Sequence, residues 1–234
     1  MNIWENKVNF GYSSLADGNL AFRFDDKEIV ASRRKEFFAR VGIDPAKSVA
    51  MIAEHANNMA LVTAGDAGKG IFSSDDQYFL DGLITREKNF NLILAVADCI
   101  ALVLYDEANE VLAMVHVGSK NLAIGTVDKA IQAIKINNSK IHAATSPFIK
   151  KCCYRFETIP KHLEALKDYF IEKDGAYFLD TESALQNQLI ESGVKEENIE
   201  ISRLCSMHDN FPSHRNSKKM NLPESRMLVY ARML

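Results

Sequence analysis

"NLILAVADCIALVLYDEANEVLAMVHVGSK", residues 91–120, holds three apolar blocks of strand length. They read as "NLILAVAD", "IALVLYD" and "VLAMVHV", with "DEANE" as a turn between the last two. Continuous apolar runs of this length suit buried strands. Two features interrupt the pattern. Asp98 and Cys99 stand side by side in the middle of "LAVADCIALVLY", and His116 breaks the last block.

Outward from this stretch, "SVAMIAEHA" (48–56) and "FLDGLIT" (79–85) read as strands, and residues 63–76 as a loop. "DDKEIVASRRKEFFARVGI" (25–43) predicts a helix capped by Asp25 or Asp26, with Ile29, Arg33, Phe37 and Val41 near helical spacing. A second helix is expected at about 124–136, with Val127, Ala130, Ile131 and Ile134 on one face. "IHAATSPFI" (141–149) resumes strand character. "PKHLEALKDYFIEK" (160–173) and "TESALQNQLIESG" (181–193) predict two more helices, the latter capped at Thr181. "ENIEISRLCS" (197–206) and "RMLVYARML" (226–234) close the chain as strands. Without strict alternation of strand and helix, the expected class is α/β with a mixed sheet, in one domain over residues 1–234.

The bulk numbers exclude several functions. The chain has 234 residues, 47% of them hydrophobic, and a net charge of −3, which does not suit a nucleic-acid binder. "HRNSKK" (214–219) is the densest basic stretch and reads as a solvated loop. The longest apolar run, 92–105, is too short to span a bilayer and has an acid in it. No signal-peptide core precedes it, so a soluble cytoplasmic protein is expected, with no membrane partner. Four cysteines without a C-x-x-C pair suit free thiols, not a disulfide framework. Cys152 and Cys153 are expected in the core, and His142, His162 and His208 have no evident partners.

His55, Cys99 and His116 each fall at or near a predicted strand end, where one edge of a fold gathers residues from distant segments. Two chemistries fit them. Two imidazoles and one thiolate suit Zn²⁺ with a fourth position open for water. Alternatively, Cys99 is a nucleophile with His116 as its base. A buried thiol and a structural imidazole are the bland alternative.

The order of segments resembles the YfiH-type, or polyphenol oxidoreductase laccase-like, family. The matching segments are "SRR" (32–34), "IAEHAN" (52–57), "LDGLIT" for the family's "ADAL-x-T", "LAVADC" for its "ADC", and "HVGSKN" (116–121) for its "HAGWRG". "SPFI" (146–149) and "CSMHDNFPSHR" (205–215) follow in the family's order.

The resemblance implies an α/β/β/α sandwich with mixed sheets, similar to the cytotoxic-necrotizing-factor-like cysteine hydrolases. It implies zinc, with copper less suited to so few histidines, held by His55, Cys99 and His116. The implied activity is purine nucleoside phosphorolysis or adenosine deamination on adenosine, inosine or methylthioadenosine. Arg33 and Lys120 are expected to hold phosphate. Other activities follow from the same resemblance: an amide hydrolase editing a peptidoglycan precursor, or a lapsed ligand-binding member. Ser119, Lys120 and Asn121 replace the Trp, Arg and second Gly of "HAGWRG". Lysine keeps the charge but loses the planar fork of arginine.

Overall fold

The apolar stretch from 91 onward does not form one sheet. In the computed structural model, which describes residues 2–4, 6–136 and 139–234, the strand Asn91–Val96 lies in one sheet and Ile100–Asp106 in another. The chain crosses between them at Ala97, Asp98 and Cys99. The first sheet orders its six strands as Asn2–Ile3, Val8–Tyr12, Met227–Met233, Asn91–Val96, Ser48–Ile52 and Tyr78–Phe79. The second orders its six as Ile199–Glu200, Ile141–Thr145, Ile100–Asp106, Val111–Val117, Gly82–Thr85 and Met59–Leu61. Both mix parallel and antiparallel pairs. A small sheet pairs Ala176–Leu179 with Arg155–Phe156 and Phe170–Lys173.

Alternation explains the layering. Along Ile100–Asp106, Ile100, Leu102 and Leu104 join one apolar cluster, while Ala101, Val103 and Tyr105 join another. The second cluster also takes Leu92, Leu94, Val229 and Ala231 from the first sheet, so it fills the space between the sheets. The first cluster takes Val127, Ile131, Leu185 and Leu189 from two helices, α3 (Thr126–Ile134) and α4 (Thr181–Glu191). On the outer face of the first sheet, Phe37 and Phe38 of α1 (Lys27–Val41) pack on Ile93, Leu228 and Tyr230. The order is helix, sheet, sheet, helices. Each sheet is therefore covered on both faces, which is why its strands read as unbroken apolar runs.

Several expectations change in detail. α1 is capped by Asp26 and stopped by Gly42 at φ 71°, as its sequence suggests, but it buries Val30, Arg34, Phe37 and Phe38. The inward face is set one residue from the expected Ile29–Arg33 stripe. Residues 161–169 form a 3₁₀ run followed by the strand Phe170–Lys173, because Leu163 and Leu166, three apart, are the buried pair. Asp180, not Thr181, caps α4. "HRNSKK" is not a loop but opens α5 (His214–Met220), capped by Ser213. A short α2 (Ser119–Ala123) follows the His116 strand. Cys152 is exposed and Cys153 partly so, in a turn that follows Lys150, not in the core. His142 bonds Glu107 at 3.0 Å. No helix among the described residues is long and apolar enough to cross a membrane.

Candidate metal centre

The crossing between the sheets builds the site. Asp98 adopts φ 69°, a left-handed conformation that Asp tolerates better than most residues. Its carboxylate accepts from Ser206 Oγ at 2.6 Å and from the Arg215 backbone N–H at 2.8 Å. Asp98 thus fastens the late "CSMHDNFPSHR" segment to the start of the second sheet. Cys99, next to it, points into a cavity of about 390 Å³. His55 and His116 line the same cavity, with Asp98, Tyr154, Arg215, Arg226 and Phe24. That volume suits a small-molecule ligand.

His116 lies on the side of its strand that faces the other sheet, in line with Leu112 and Met114. The Asp81 carboxylate lies 3.0 Å from its Nδ1. The same carboxylate accepts from the backbone N–H groups of His55, Ala56 and Asn57 at 3.0, 2.7 and 2.7 Å. His55 and Asn57 sit at φ 60° and 69°, and Asp81 is what holds that strained turn. The two imidazole rings are 4.6 Å apart, edge to face. His55 Nδ1 lies 3.4 Å from Asn121 Oδ1. Each ring therefore has its Nδ1 beside an oxygen, which leaves Nε2 as the free donor atom.

His55, Asp81 and His116 form a group whose donor atoms lie within 4.8 Å of one another. Asp81 is fully buried and its oxygens are already occupied by four hydrogen bonds, so it orients the imidazoles from behind. Cys99 is not in that close group but shares the cavity. A Cβ on Gly118 would stand 3.1 Å from Cys99 Sγ and 3.6 Å from His116 Cε1. A side chain there would crowd the Cys99 sulfur and touch the imidazole at ordinary contact distance, and glycine keeps the space. Two imidazoles, a thiol and a carboxylate behind a histidine are a donor set that fits Zn²⁺. Burial and the neighbouring Asp98 push the Cys99 thiol up to about 12. A bound cation reverses that preference and takes the thiolate.

The chain is similar to known proteins along most of its length. The family described as multi-copper polyphenol oxidoreductase laccase matches residues 7–230. The chain belongs to that family. Purine nucleoside phosphorylase YlmD of Bacillus subtilis is 28% identical over 216 residues, covering 86% of this chain and 77% of that one. A purine nucleoside phosphorylase of Bacteroides thetaiotaomicron is 26% identical over 273 residues, covering 97% of each. Among solved structures, the hypothetical protein YfiH of Bacillus licheniformis superposes with a TM-score of 0.87 at 24% identity, over 98% of this chain and 94% of that one. YlmD of Geobacillus stearothermophilus gives 0.86 at 23%, over 97% and 92%. These two establish that the chain shares the mixed α/β fold of YfiH and YlmD.

Within this laccase-like chain, the residues expected at the site are not all brought together. His55, Cys99 and His116 share the cavity, whereas Arg33 and Lys120 do not line it. Arg33 pairs with Asp25 and lines a separate depression with Asp17 and Arg40. Its neighbour Arg34 turns inward instead and donates to the carbonyls of Leu20, Gly70 and Ile71 at 2.7–2.8 Å. The cations on the cavity also include Arg215, 4.5 Å from both the Tyr154 and Phe156 rings, and Arg226, 4.1 Å from the Phe24 ring.

The changed "HVGSKN" segment is partly compensated. Ser119 Oγ accepts from the Tyr154 hydroxyl at 2.8 Å, and Asn121 is the residue facing His55. Asp81, Tyr154, Arg215 and Arg226 carry no sequence signal of their own. Asp81 and Arg215 do lie inside quoted family segments, "LDGLIT" and "CSMHDNFPSHR".

Proposed function

We propose that this chain is a purine nucleoside phosphorylase that cleaves adenosine, inosine or methylthioadenosine with phosphate. The observation that carries this is the cavity itself: guanidinium groups and aromatic rings surround the imidazole and thiol groups, beside relatives named for that activity. Phosphate is the attacking group and needs cations, which Arg215 and Arg226 provide in the cavity lining. A phosphate oxygen bonds to the sugar carbon, the bond from that carbon to the purine nitrogen breaks, and the leaving base takes up the proton that hydrogen phosphate gives up. Tyr154 and Phe24 offer ring faces for the purine. Burial pushes the Tyr154 phenol up to about 12, so at neutral pH it keeps its proton and donates it within a hydrogen bond.

In this reading His55, Cys99 and His116 hold Zn²⁺, which when bound supplies a Lewis acid and an activated water. Asp81 and Asn121 hold the two imidazoles in position. The role first assigned to Arg33 and Lys120 passes to Arg215 and Arg226. Adenosine deamination is proposed as a second activity of the same site, and a reducing cytoplasm suits its free Cys99.

A peptidoglycan-editing amide hydrolase, the alternative that the family resemblance implies, needs Cys99 as an activated nucleophile. Its raised thiol and the lack of a hydrogen bond to either imidazole among the described residues weigh against that. The deciding experiment incubates zinc-loaded protein with inosine, with and without phosphate. Phosphate-dependent hypoxanthine and ribose 1-phosphate support the proposal. Absence of both, with cleavage of a muramyl-serine substrate, supports the hydrolase.

A further inference from the structure

Cys152, Cys153, Cys205 and His208 come together away from the site just described. Their ligand atoms all lie within 4.8 Å of one another. The Cys152 sulfur is 3.6 Å from that of Cys153 and 3.8 Å from that of Cys205. His208 Nδ1 is 3.8 Å from the Cys152 sulfur and 4.0 Å from that of Cys153. A tetrahedral Zn²⁺ with Zn–S near 2.3 Å and Zn–N near 2.0–2.1 Å places its sulfurs about 3.8 Å apart and sulfur from nitrogen about 3.6 Å. The sulfur–sulfur spacings and the two Nδ1 distances lie near that figure, and His208 Nε2 comes closer to the Cys153 sulfur, at 3.2 Å. All four cysteines of the chain are free, so these sulfurs are not tied to one another.

The backbone presents the four donors from two adjoining turns. Lys150 O accepts from the Cys153 and Tyr154 N–H groups at 2.9 and 3.0 Å, which exposes both thiols on one turn. Cys205 O accepts from the His208 and Asp209 N–H groups, and Asp209 Oδ2 accepts from Cys205 N–H at 2.7 Å, closing the second. Phe148 and Cys205 pair as an isolated bridge, joining the two turns. Cys205 and His208 are separated by two residues, within the short gap that separates paired cysteine ligands in structural zinc sites.

We propose that Cys152, Cys153, Cys205 and His208 form a second, closed Zn²⁺ site, structural in role. Three thiolates with one imidazole select Zn²⁺ over harder cations, and four protein ligands leave no open position for substrate. The site fastens the turn that leads into Tyr154 to the segment that leads into Arg215. It thereby braces the cavity wall, since Tyr154 and Arg215 both line it.

The test loads the full-length, metal-free, reduced chain with Co²⁺ and follows the thiolate-to-cobalt charge-transfer band. The wild type is expected to take two Co²⁺ per chain, with charge-transfer intensity dominated by the cluster. Cys152→Ser and His208→Ala, both changes at exposed residues, are expected to lower the count to one. Cys99→Ser is expected to leave the cluster's band in place and release it to added Zn²⁺. A wild-type chain with one Co²⁺ that survives Cys152→Ser and His208→Ala unchanged overturns the proposal. So does a Cys99→Ser chain, folded by circular dichroism, that shows no thiolate-to-cobalt band.

Discussion

His116 Nδ1 lies 3.0 Å from Asp81 Oδ1, and the two side chains are only 2% and 0% exposed. The same carboxylate also holds the turn that carries His55. One buried anion therefore fixes both imidazoles. We expect Asp81→Asn to weaken Zn²⁺ binding at this site by roughly 10–100-fold, the usual cost of losing a carboxylate behind a ligating histidine. Competition with a chelator of known affinity measures it. Unchanged affinity means Asp81 serves only the turn.

Acid should destabilise the metal-free protein in two stages. Burial lowers the His116 pKa and outweighs the raising effect of Asp81. A folded pKa below the unfolded value of about 6.5 means the unfolded chain binds the extra proton first, so stability falls as pH drops below about 6.5. Burial alone would raise the Asp81 carboxyl, but His116 and the three backbone N–H groups hold it well below the usual carboxylate range. Its contribution is present above about pH 4 and is lost as pH falls further. Urea unfolding of chelated protein from pH 8 to pH 5 should show the first stage. His116→Gln should flatten it, and an equally steep fall in that variant rules out His116 as the source.

Gly118→Ala adds one methyl where a Cβ would stand 3.1 Å from Cys99 Sγ. We expect the thiol to be displaced and metal occupancy to fall while the fold stays intact. Metal analysis alongside circular dichroism separates the two. Full occupancy would place the metal away from Cys99.

Arg33 and Arg34, neighbours in sequence, should behave oppositely. The Arg33–Asp25 pair is half-exposed, and pairs of that kind contribute less than about 1 kcal/mol. Arg34 is 1% exposed and serves three buried carbonyls. Arg34→Ala should cost about 3–5 kcal/mol, through those carbonyls and the lost packing on Phe22. Denaturant midpoints of Arg33→Ala and Arg34→Ala decide between them, and equal losses would contradict the assignment.

The apolar blocks, the helix caps at Asp26 and Gly42 and the buried stripe of α3 were legible because each obeys a local rule of period or capping. What the sequence hid depends on tertiary placement. "LAVADCIALVLY" reads as one apolar run, yet its two halves enter different sheets, and the odd Asp98–Cys99 pair is the crossing point. The resemblance at "SRR" pointed to Arg33, but α1 turns Arg34 inward, on the same side as Phe37 and Phe38. His55, Cys99 and His116 were findable through the family resemblance, whereas Asp81, Tyr154 and the Cys152–Cys153–Cys205–His208 cluster emerge only when distant turns meet. Adjacent cysteines look like core in a sequence, but the turn after Lys150 turns them outward.

The most direct measurement of the central claim is phosphate-dependent release of free base from adenosine or inosine by the zinc-loaded chain, followed by chromatography, beside Cys99→Ser and Arg215→Ala. The account predicts free base and ribose 1-phosphate from the wild type, loss of turnover in Cys99→Ser, and a phosphate KM about tenfold higher in Arg215→Ala, equivalent to about 1.4 kcal/mol. Base release by Cys99→Ser at the wild-type rate, or none by the zinc-replete wild type, would contradict it.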